Sequence, residues 1–144
     1  MRLFSQNTKV ESLKRAPLFE GLSGAELMRL ARMTEDVEVP AGKVLCREGQ
    51  IGQEFFVIVD GEAAVTRRGR HLVTQRAGDF FGEIALLENI PRTATVTARI
   101  PLRFFVLTRQ SFRRLLDDAP RAERKVLRAL ARRVVALSRD PALV

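Results

Sequence analysis

The chain has 144 residues with a formal net charge of +8, and its 46% hydrophobic and 29% charged content is typical of one soluble globular domain. No apolar run approaches the roughly 18 residues of a membrane-spanning helix, so no membrane contact is expected. The single cysteine, Cys46, excludes an internal disulfide and fits the reducing cytoplasm, and the single histidine, His71, has no Cys or His companions for a metal site.

The N-terminal part of the chain is predicted to be helical. A short basic helix is expected over Lys9 to Arg15, ahead of a proline that should end it. Ser23 is then a candidate N-cap, and Glu26 stands three residues later, as a capping box requires. The apolar residues after Ser23 have the spacing of one helix face, which predicts a second helix ending near Met33.

A strand-like period replaces the helical one from Glu35 onward. Short apolar runs alternate with turn sequences, of which Asp60-Gly61 is a strong hairpin signal. A further, solvated turn is predicted over Arg67, Arg68, Gly69 and Arg70. Strands are predicted from Glu35 to Val39, Val44 to Arg47, Phe55 to Val59, around Ala63 and Val65, around Leu72 and Val73, from Thr93 to Ala98, and from Leu102 to Leu107. Strands this short, at this regular spacing, indicate an antiparallel sandwich or a barrel-like roll.

Two helices are predicted after the last strand. Thr108 is a candidate N-cap for a helix from Arg109 to Asp117, and Asp118-Ala119-Pro120 should end it, since proline is tolerated only in the first turn of a new helix. The last helix carries an apolar stripe formed by Val126, Leu127, Leu130, Val134 and Leu137, and Asp140-Pro141 should end it. The stripe covers about two heptads, too few for a convincing coiled coil, so a monomer or a weak homodimer through this helix is expected.

The stretch from Phe81 to Val96, FGEIALLENIPRTATV, holds the residue types that bind a sugar and a phosphate ester together. Gly82 permits close backbone approach, and Glu83 can accept hydrogen bonds from ribose hydroxyls. Ile84 to Leu87 can begin a short helix whose free N–H groups attract an anion, and Arg92 can clamp phosphate oxygens with two charge-assisted bonds. The candidate ligand-binding residues are Phe81, Gly82, Glu83, Ile84, Ala85, Arg92, Thr93 and Ala94.

This stretch resembles the phosphate-binding cassette of cyclic nucleotide-binding domains, found in catabolite-activator-type regulators, cyclic nucleotide-gated channels and regulatory parts of cyclic nucleotide-dependent kinases. The stretch from Pro17 to Leu22 resembles the family's entry segment, and glycines stand where such domains turn between strands, at Gly42, Gly49, Gly61 and Gly78. The resemblance implies one domain over residues 1–144, mainly β with flanking helices. It comprises an N-terminal helical segment (1–34), an eight-stranded antiparallel β-roll of jelly-roll type (35–108) with the cassette (81–96) inserted between strands, and hinge and lid helices (109–139).

The resemblance also implies a moving part. Phosphate bound at the cassette would draw it inward, the hinge helix would follow through Phe112 and Leu116, and the lid helix would close over the purine. The side chain that caps the base is left open between the arginines of the lid helix, Arg124, Arg128 and Arg132, and an apolar cap, Leu127 or Leu130.

Ligand identity depends largely on Thr93, which follows the cassette arginine. In the family a hydroxyl here can meet the guanine amino group, which favours cyclic GMP, but Thr or Ser also occurs in members that prefer cyclic AMP. A β-branched residue also simply suits a strand. Cyclic AMP is favoured over cyclic GMP as the ligand, and no cofactor or metal is expected.

A stand-alone second-messenger sensor that signals to an unknown downstream protein is the favoured function. The excess of basic residues, concentrated after Gln110, favours as an alternative a basic regulatory module that contacts nucleic acid or a partner, with nucleotide binding weak or lost. Because the chain stops at Val144 without a helix-turn-helix, specific DNA binding is not expected. No nucleophile elbow, P-loop or metal cluster is present, so an enzyme is not expected.

Overall fold

The computed structural model describes residues 2–3 and 6–137, and its N-terminal part is helical. Helix α1 (Gln6–Arg15) begins three residues earlier than predicted; a 3-10 helix (Pro17–Phe19) and helix α2 (Gly24–Met33) follow. The predicted capping box is confirmed: the Ser23 hydroxyl accepts from the Glu26 amide at 3.1 Å, and the Glu26 carboxylate accepts from the Ser23 amide at 2.9 Å. The predicted end of α2 at Met33 is also confirmed.

The strands form two antiparallel sheets. The strands are β1 (Arg2–Leu3), β2 (Thr34–Val39), β3 (Val44–Cys46), β4 (Glu54–Asp60), β5 (Glu62–Arg67), β6 (Arg70–Arg76), β7 (Phe80–Phe81), β8 (Thr95–Ala98) and β9 (Leu102–Thr108). One sheet has the order β1-β2-β9-β4-β7 and the other β3-β8-β5-β6. Strands β2 to β9 contribute four to each sheet, which confirms the predicted eight-stranded roll, and β1 extends one edge by two residues.

Strand β4 is buried on both faces because each face packs against a different core. Successive side chains of a strand point to opposite sides. Phe55 and Val57 therefore join a core between this sheet and the helices, while Phe56 and Ile58 join a core between the two sheets. We call these the helix-side core and the roll core. The sheet that contains β4 separates them.

The C-terminal helices lie on the helix-side core. Helix α4 (Arg109–Asp118) is capped by Thr108, whose hydroxyl accepts from the Ser111 amide at 3.1 Å, and helix α5 (Pro120–Leu137) begins at the predicted proline. Lys125 of α5 donates to the Pro17 carbonyl of the 3-10 helix. Asp140 and Pro141, predicted to end the last helix, lie outside the described residues. No helix in the described part of the chain is long and apolar enough to cross a membrane.

The sequence prediction was wrong about several strand ends. Strand β8 begins at Thr95 and not at Thr93, because the backbone before it bonds elsewhere: the Arg92 amide donates to the Gln50 carbonyl and the Arg92 carbonyl accepts from the Gly49 amide, both at 2.9 Å. Strand β3 ends one residue early, at Cys46.

The turn between β5 and β6 is also tighter than predicted. Arg67 and Arg70, placed in a four-residue turn by the sequence, pair with each other as strand ends. Only Arg68 and Gly69 form the turn, with φ values of 51° and 78°. Two successive residues in the left-handed region are typical of the two-residue turns that join tightly paired antiparallel strands. Strand β6 is therefore long enough to form one wall of the roll.

Candidate functional site

The predicted site residues meet at one open cavity of about 420 Å³ in the roll. Of the eight candidates, seven line it: Phe81, Gly82, Glu83, Ile84, Arg92, Thr93 and Ala94. The eighth, Ala85, lies in helix α3 (Glu83–Glu88), but its side chain is outside the described part of the structure. Residues 81–84 and 92–94, on either side of the rest of α3 and the loop after it, are thus brought to a single concave surface.

Gly82 occupies a position that no other residue fits without strain. It precedes α3 in the left-handed region, with φ 97° and ψ −7°. A Cβ built on it would lie 2.7 Å from the Glu54 carbonyl oxygen and 2.9 Å from Nη1 of Arg92. The backbone of the cassette therefore packs directly against strand β4 and the arginine.

The Arg92 side chain is buried and held in place by backbone carbonyls. It is only 6% exposed, its Nη1 donates to the Gly82 carbonyl at 3.1 Å, and its Nη2 donates to the Glu54 carbonyl at 2.7 Å. Because carbonyls are neutral, these bonds fix the guanidinium without cancelling its charge. A fixed positive charge that lines a cavity is what an anionic ligand requires.

Gly52 is a positioning residue that the sequence prediction missed. A Cβ at this glycine would lie 1.9 Å from Nε of Arg92 and 2.4 Å from its Cζ. The loop before β4 therefore packs its bare backbone against the guanidinium plane. The sequence carries no signal for this contact beyond the glycine itself.

Glu83 and Thr93 border the same cavity. Glu83, the first residue of α3, is fully buried, whereas Thr93 is half-buried. The Thr93 carbonyl accepts from Nε of Arg67 on β5 at 2.9 Å, which links the cassette to the facing strand.

The rest of the lining is a wall of strand residues that the sequence prediction did not place in the site. They are mostly apolar: Cys46, Val65, Arg67, Leu72, Val73, Gln75 and Val96. Leu72 and Val73 are 44% and 47% exposed, and side by side they form an exposed apolar patch at the cavity. Two adjacent apolar residues in the otherwise polar strand β6 are the sequence signal that could have found this wall.

The cavity is also lined by the chain's only thiol, that of Cys46. Burial raises the pKa of the Cys46 thiol to about 11, an effect that the nearby charge of Arg92 opposes only in part. At pH 8 such a pKa leaves about one thiol in a thousand ionised, against about a quarter at an ordinary value. We therefore expect Ellman's reagent to react very slowly with native protein and rapidly in denaturant. Fast stoichiometric reaction of the native protein would contradict this burial.

The predicted lid does not take part in the cavity as it stands. Among the described residues, those that line the cavity all precede α4, and none belongs to α5. Arg124, Arg128 and Arg132 are exposed, Leu127 is 56% exposed, and Leu130 packs against the helix-side core. None of the described residues of α5 therefore covers the cavity, and the identity of the capping side chain stays a prediction.

The cassette helix is connected to α4 by packing and by one polar bond. Leu86 of α3 is buried in the helix-side core together with Phe55 and Phe112, whose ring centroids lie 4.4 Å apart. Arg109, at the start of α4, donates from Nη1 to Oδ1 of Asn89 at 2.6 Å. A displacement of α3 would therefore disturb its contacts with α4.

The family model described as the cyclic nucleotide-binding domain matches residues 36–119, more than half of the chain. The chain belongs to the cyclic nucleotide-binding domain family. It is 42% identical over 105 residues to the cAMP-dependent protein kinase regulatory subunit of Eremothecium gossypii, and 39% identical over 104 residues to a cyclic nucleotide-gated potassium channel of Rhizobium etli. Each match covers 72% of this chain but only 23% and 29% of the respective relative.

Solved structures of this family share the fold. A cAMP-bound structure of PfPKA-R is similar, with a TM-score of 0.74 and 29% identity, covering 88% of this chain and 47% of that one. The regulatory subunit of a cAMP-independent protein kinase A from Trypanosoma brucei has a TM-score of 0.78 and 25% identity, covering 86% of this chain and 45% of that one. This cyclic nucleotide-binding domain therefore has neighbours that are described as cAMP-bound and as cAMP-independent.

Proposed function

We propose that this domain binds a cyclic purine mononucleotide, cyclic AMP in preference to cyclic GMP, and acts as a second-messenger sensor for a downstream protein. The observation that carries this proposal is the buried, carbonyl-held guanidinium of Arg92 at the wall of the cavity. The phosphate of the ligand would supply the negative charge that the two carbonyls lack. Relatives with a kinase-regulatory name support a protein as the receiver of the signal.

Titration calorimetry with both cyclic nucleotides, on protein shown to contain no co-purified nucleotide, tests the proposal. We expect saturable binding of both, with cyclic AMP tighter. The ratio of the two affinities should change in Thr93→Ala if the Thr93 hydroxyl meets the base or the phosphate. An unchanged ratio would remove Thr93 from selectivity, and absence of binding would overturn the proposed function.

Glu83 is assigned to the ribose 2′-hydroxyl, which the cyclic phosphate leaves free. Replacing it with alanine is expected to weaken binding of cyclic AMP by about 1.5–3 kcal/mol, the range for hydrogen bonds to a charged group. The loss should be much smaller for 2′-deoxy cyclic AMP, which lacks the hydroxyl that the carboxylate would accept from. Equal losses for the two ligands, measured by the same titration, would remove the ribose role.

Ligand binding is proposed to move α3 and, through it, the C-terminal helices. Leu86 and Phe112 share the helix-side core, and Arg109 bonds Asn89, so a shift of α3 must repack α4 or break these contacts. Helix α5 would then close over the open side of the cavity. The ligand drives this closure only by the difference between its affinities for the two arrangements.

The alternative is a basic regulatory module in which nucleotide binding is weak or lost. The specific observation that favours it is the structural neighbour described as cAMP-independent, together with the +8 charge. Such a module would bind nucleic acid or an acidic partner with an affinity that falls steeply as salt rises. Binding of cyclic AMP that is saturable and insensitive to salt over the same range would favour the sensor.

A further inference from the structure

The cavity contains one polar side chain outside the cassette that is nearly as buried as Arg92. Gln75 lies on β6 and lines the cavity, yet it is only 9% exposed. Its backbone pairs with Ala63 of β5, which is fully buried in the roll core. The carboxamide is therefore held by a paired strand and not by a loop.

The carboxamide of Gln75 has hydrogen-bonding capacity that the protein leaves unused. A glutamine offers two N–H donors and one acceptor oxygen. Within residues 2–3 and 6–137, no group forms a hydrogen bond with it. The carboxamide atoms are not among the fully buried polar atoms that lack a partner, so they reach the space of the cavity, where a bound ligand can supply the partner.

The neighbours of Gln75 suit the flat face of a base. Val65, Leu72, Val73 and Val96 form the apolar part of the same lining. The other polar strand residue of the wall, Arg67, is exposed and its Nε already donates to the Thr93 carbonyl. Gln75 is thus the polar group in position to form hydrogen bonds with the edge of a base that packs against this wall.

We propose that Gln75 recognises the base of the ligand by pairing its carboxamide with the 6-amino group and N7 of adenine. This inference rests on the proposed function and deepens it. A glutamine carboxamide accepts from the 6-amino group while it donates to N7, whereas guanine presents two acceptors, O6 and N7, on the same edge. Gln75 therefore favours cyclic AMP by a feature independent of Thr93.

The test compares cyclic AMP with the cyclic monophosphate of purine riboside, which lacks only the 6-amino group, in wild type and in Gln75→Met and Gln75→Leu. Wild type should bind cyclic AMP about tenfold or more tightly than the analogue, the fold-change of one lost buried hydrogen bond. Both variants should bind cyclic AMP more weakly and distinguish the two ligands by less than about twofold, because the partner of the amino group is gone. Two variants of different shape guard against a folding defect in either one.

Thr74→Val is the matched control. Thr74 is adjacent on β6 but its hydroxyl bonds His71 and Arg99, away from the cavity, so the wild-type discrimination should persist. If Gln75→Met and Gln75→Leu fold and keep the full discrimination, the role of Gln75 is overturned while the proposed function stands. If wild type binds neither cyclic AMP nor cyclic GMP, the proposed function fails first, and the base assignment fails with it.

Discussion

Replacing Arg92 with alanine is expected to weaken binding of cyclic AMP by about 2–5 kcal/mol, the cost of removing one partner from a buried charge pair. The guanidinium is already fixed by the carbonyls of Gly82 and Glu54, so little ordering cost is paid when the phosphate arrives. Arg92→Lys should recover only part of the affinity, because an ammonium group keeps the charge but not the planar two-bond geometry. Titration calorimetry of the three proteins measures the effect.

Arg70→Ala is the matched control for charge. Arg70 is exposed at the β5–β6 turn and does not line the cavity, so its removal lowers the net charge equally and should leave affinity nearly unchanged. Wild-type affinity in Arg92→Ala would refute the phosphate clamp. Equal losses in both alanine variants would instead indicate a general electrostatic attraction by the basic surface.

Gly52→Ala is expected to lower cyclic AMP affinity at least about tenfold with only a small change in thermal stability. The added Cβ would meet Arg92 at 1.9–2.4 Å, and the long side chain must leave its place to relieve the contact. The backbone at Gly52 is not in the left-handed region, so alanine brings no backbone strain of its own. Calorimetric titration gives the affinity and thermal unfolding gives the stability.

Gly82→Ala and Gly24→Ala serve as two comparison variants for Gly52→Ala. At Gly82 the Cβ would meet the Glu54 carbonyl at a φ of 97°, so stability should fall by about 1–3 kcal/mol along with binding. At Gly24 nothing lies within 4 Å of the added Cβ, so binding should be unchanged. A Gly52→Ala protein that binds cyclic AMP as tightly as wild type would show that the contact does not position Arg92.

The features that could be predicted from the sequence are those that depend on residues close together in the chain. The capping box depends on Ser23 and Glu26, three positions apart, and the start of α5 depends on one proline. The glycine, glutamate and arginine of the cassette all lie within residues 82–92. The roll itself followed from short strands at regular spacing, helped by the family resemblance.

The missed features depend on contacts between distant parts of the chain. Gly52 matters only because Arg92, forty positions later, packs on it, and the register of β5 with β6 brings Gln75 to the cavity. Thr93 was predicted to begin a strand because β-branched residues favour one, but the backbone bonds of Arg92 to the loop at Gly49 and Gln50 override that preference.

The sheet that contains β4 separates the helix-side core from the roll core, and this separation bears on which parts of the protein open together. The helices pack on a core that is distinct from the roll core, so we expect them to open as a unit while the roll core stays closed. Leu86 connects the cassette to this unit, because it belongs to the cassette yet is buried with the helices. Ligand binding in the cavity would then slow amide hydrogen exchange in the C-terminal helices, although the described residues of α4 and α5 do not line the cavity.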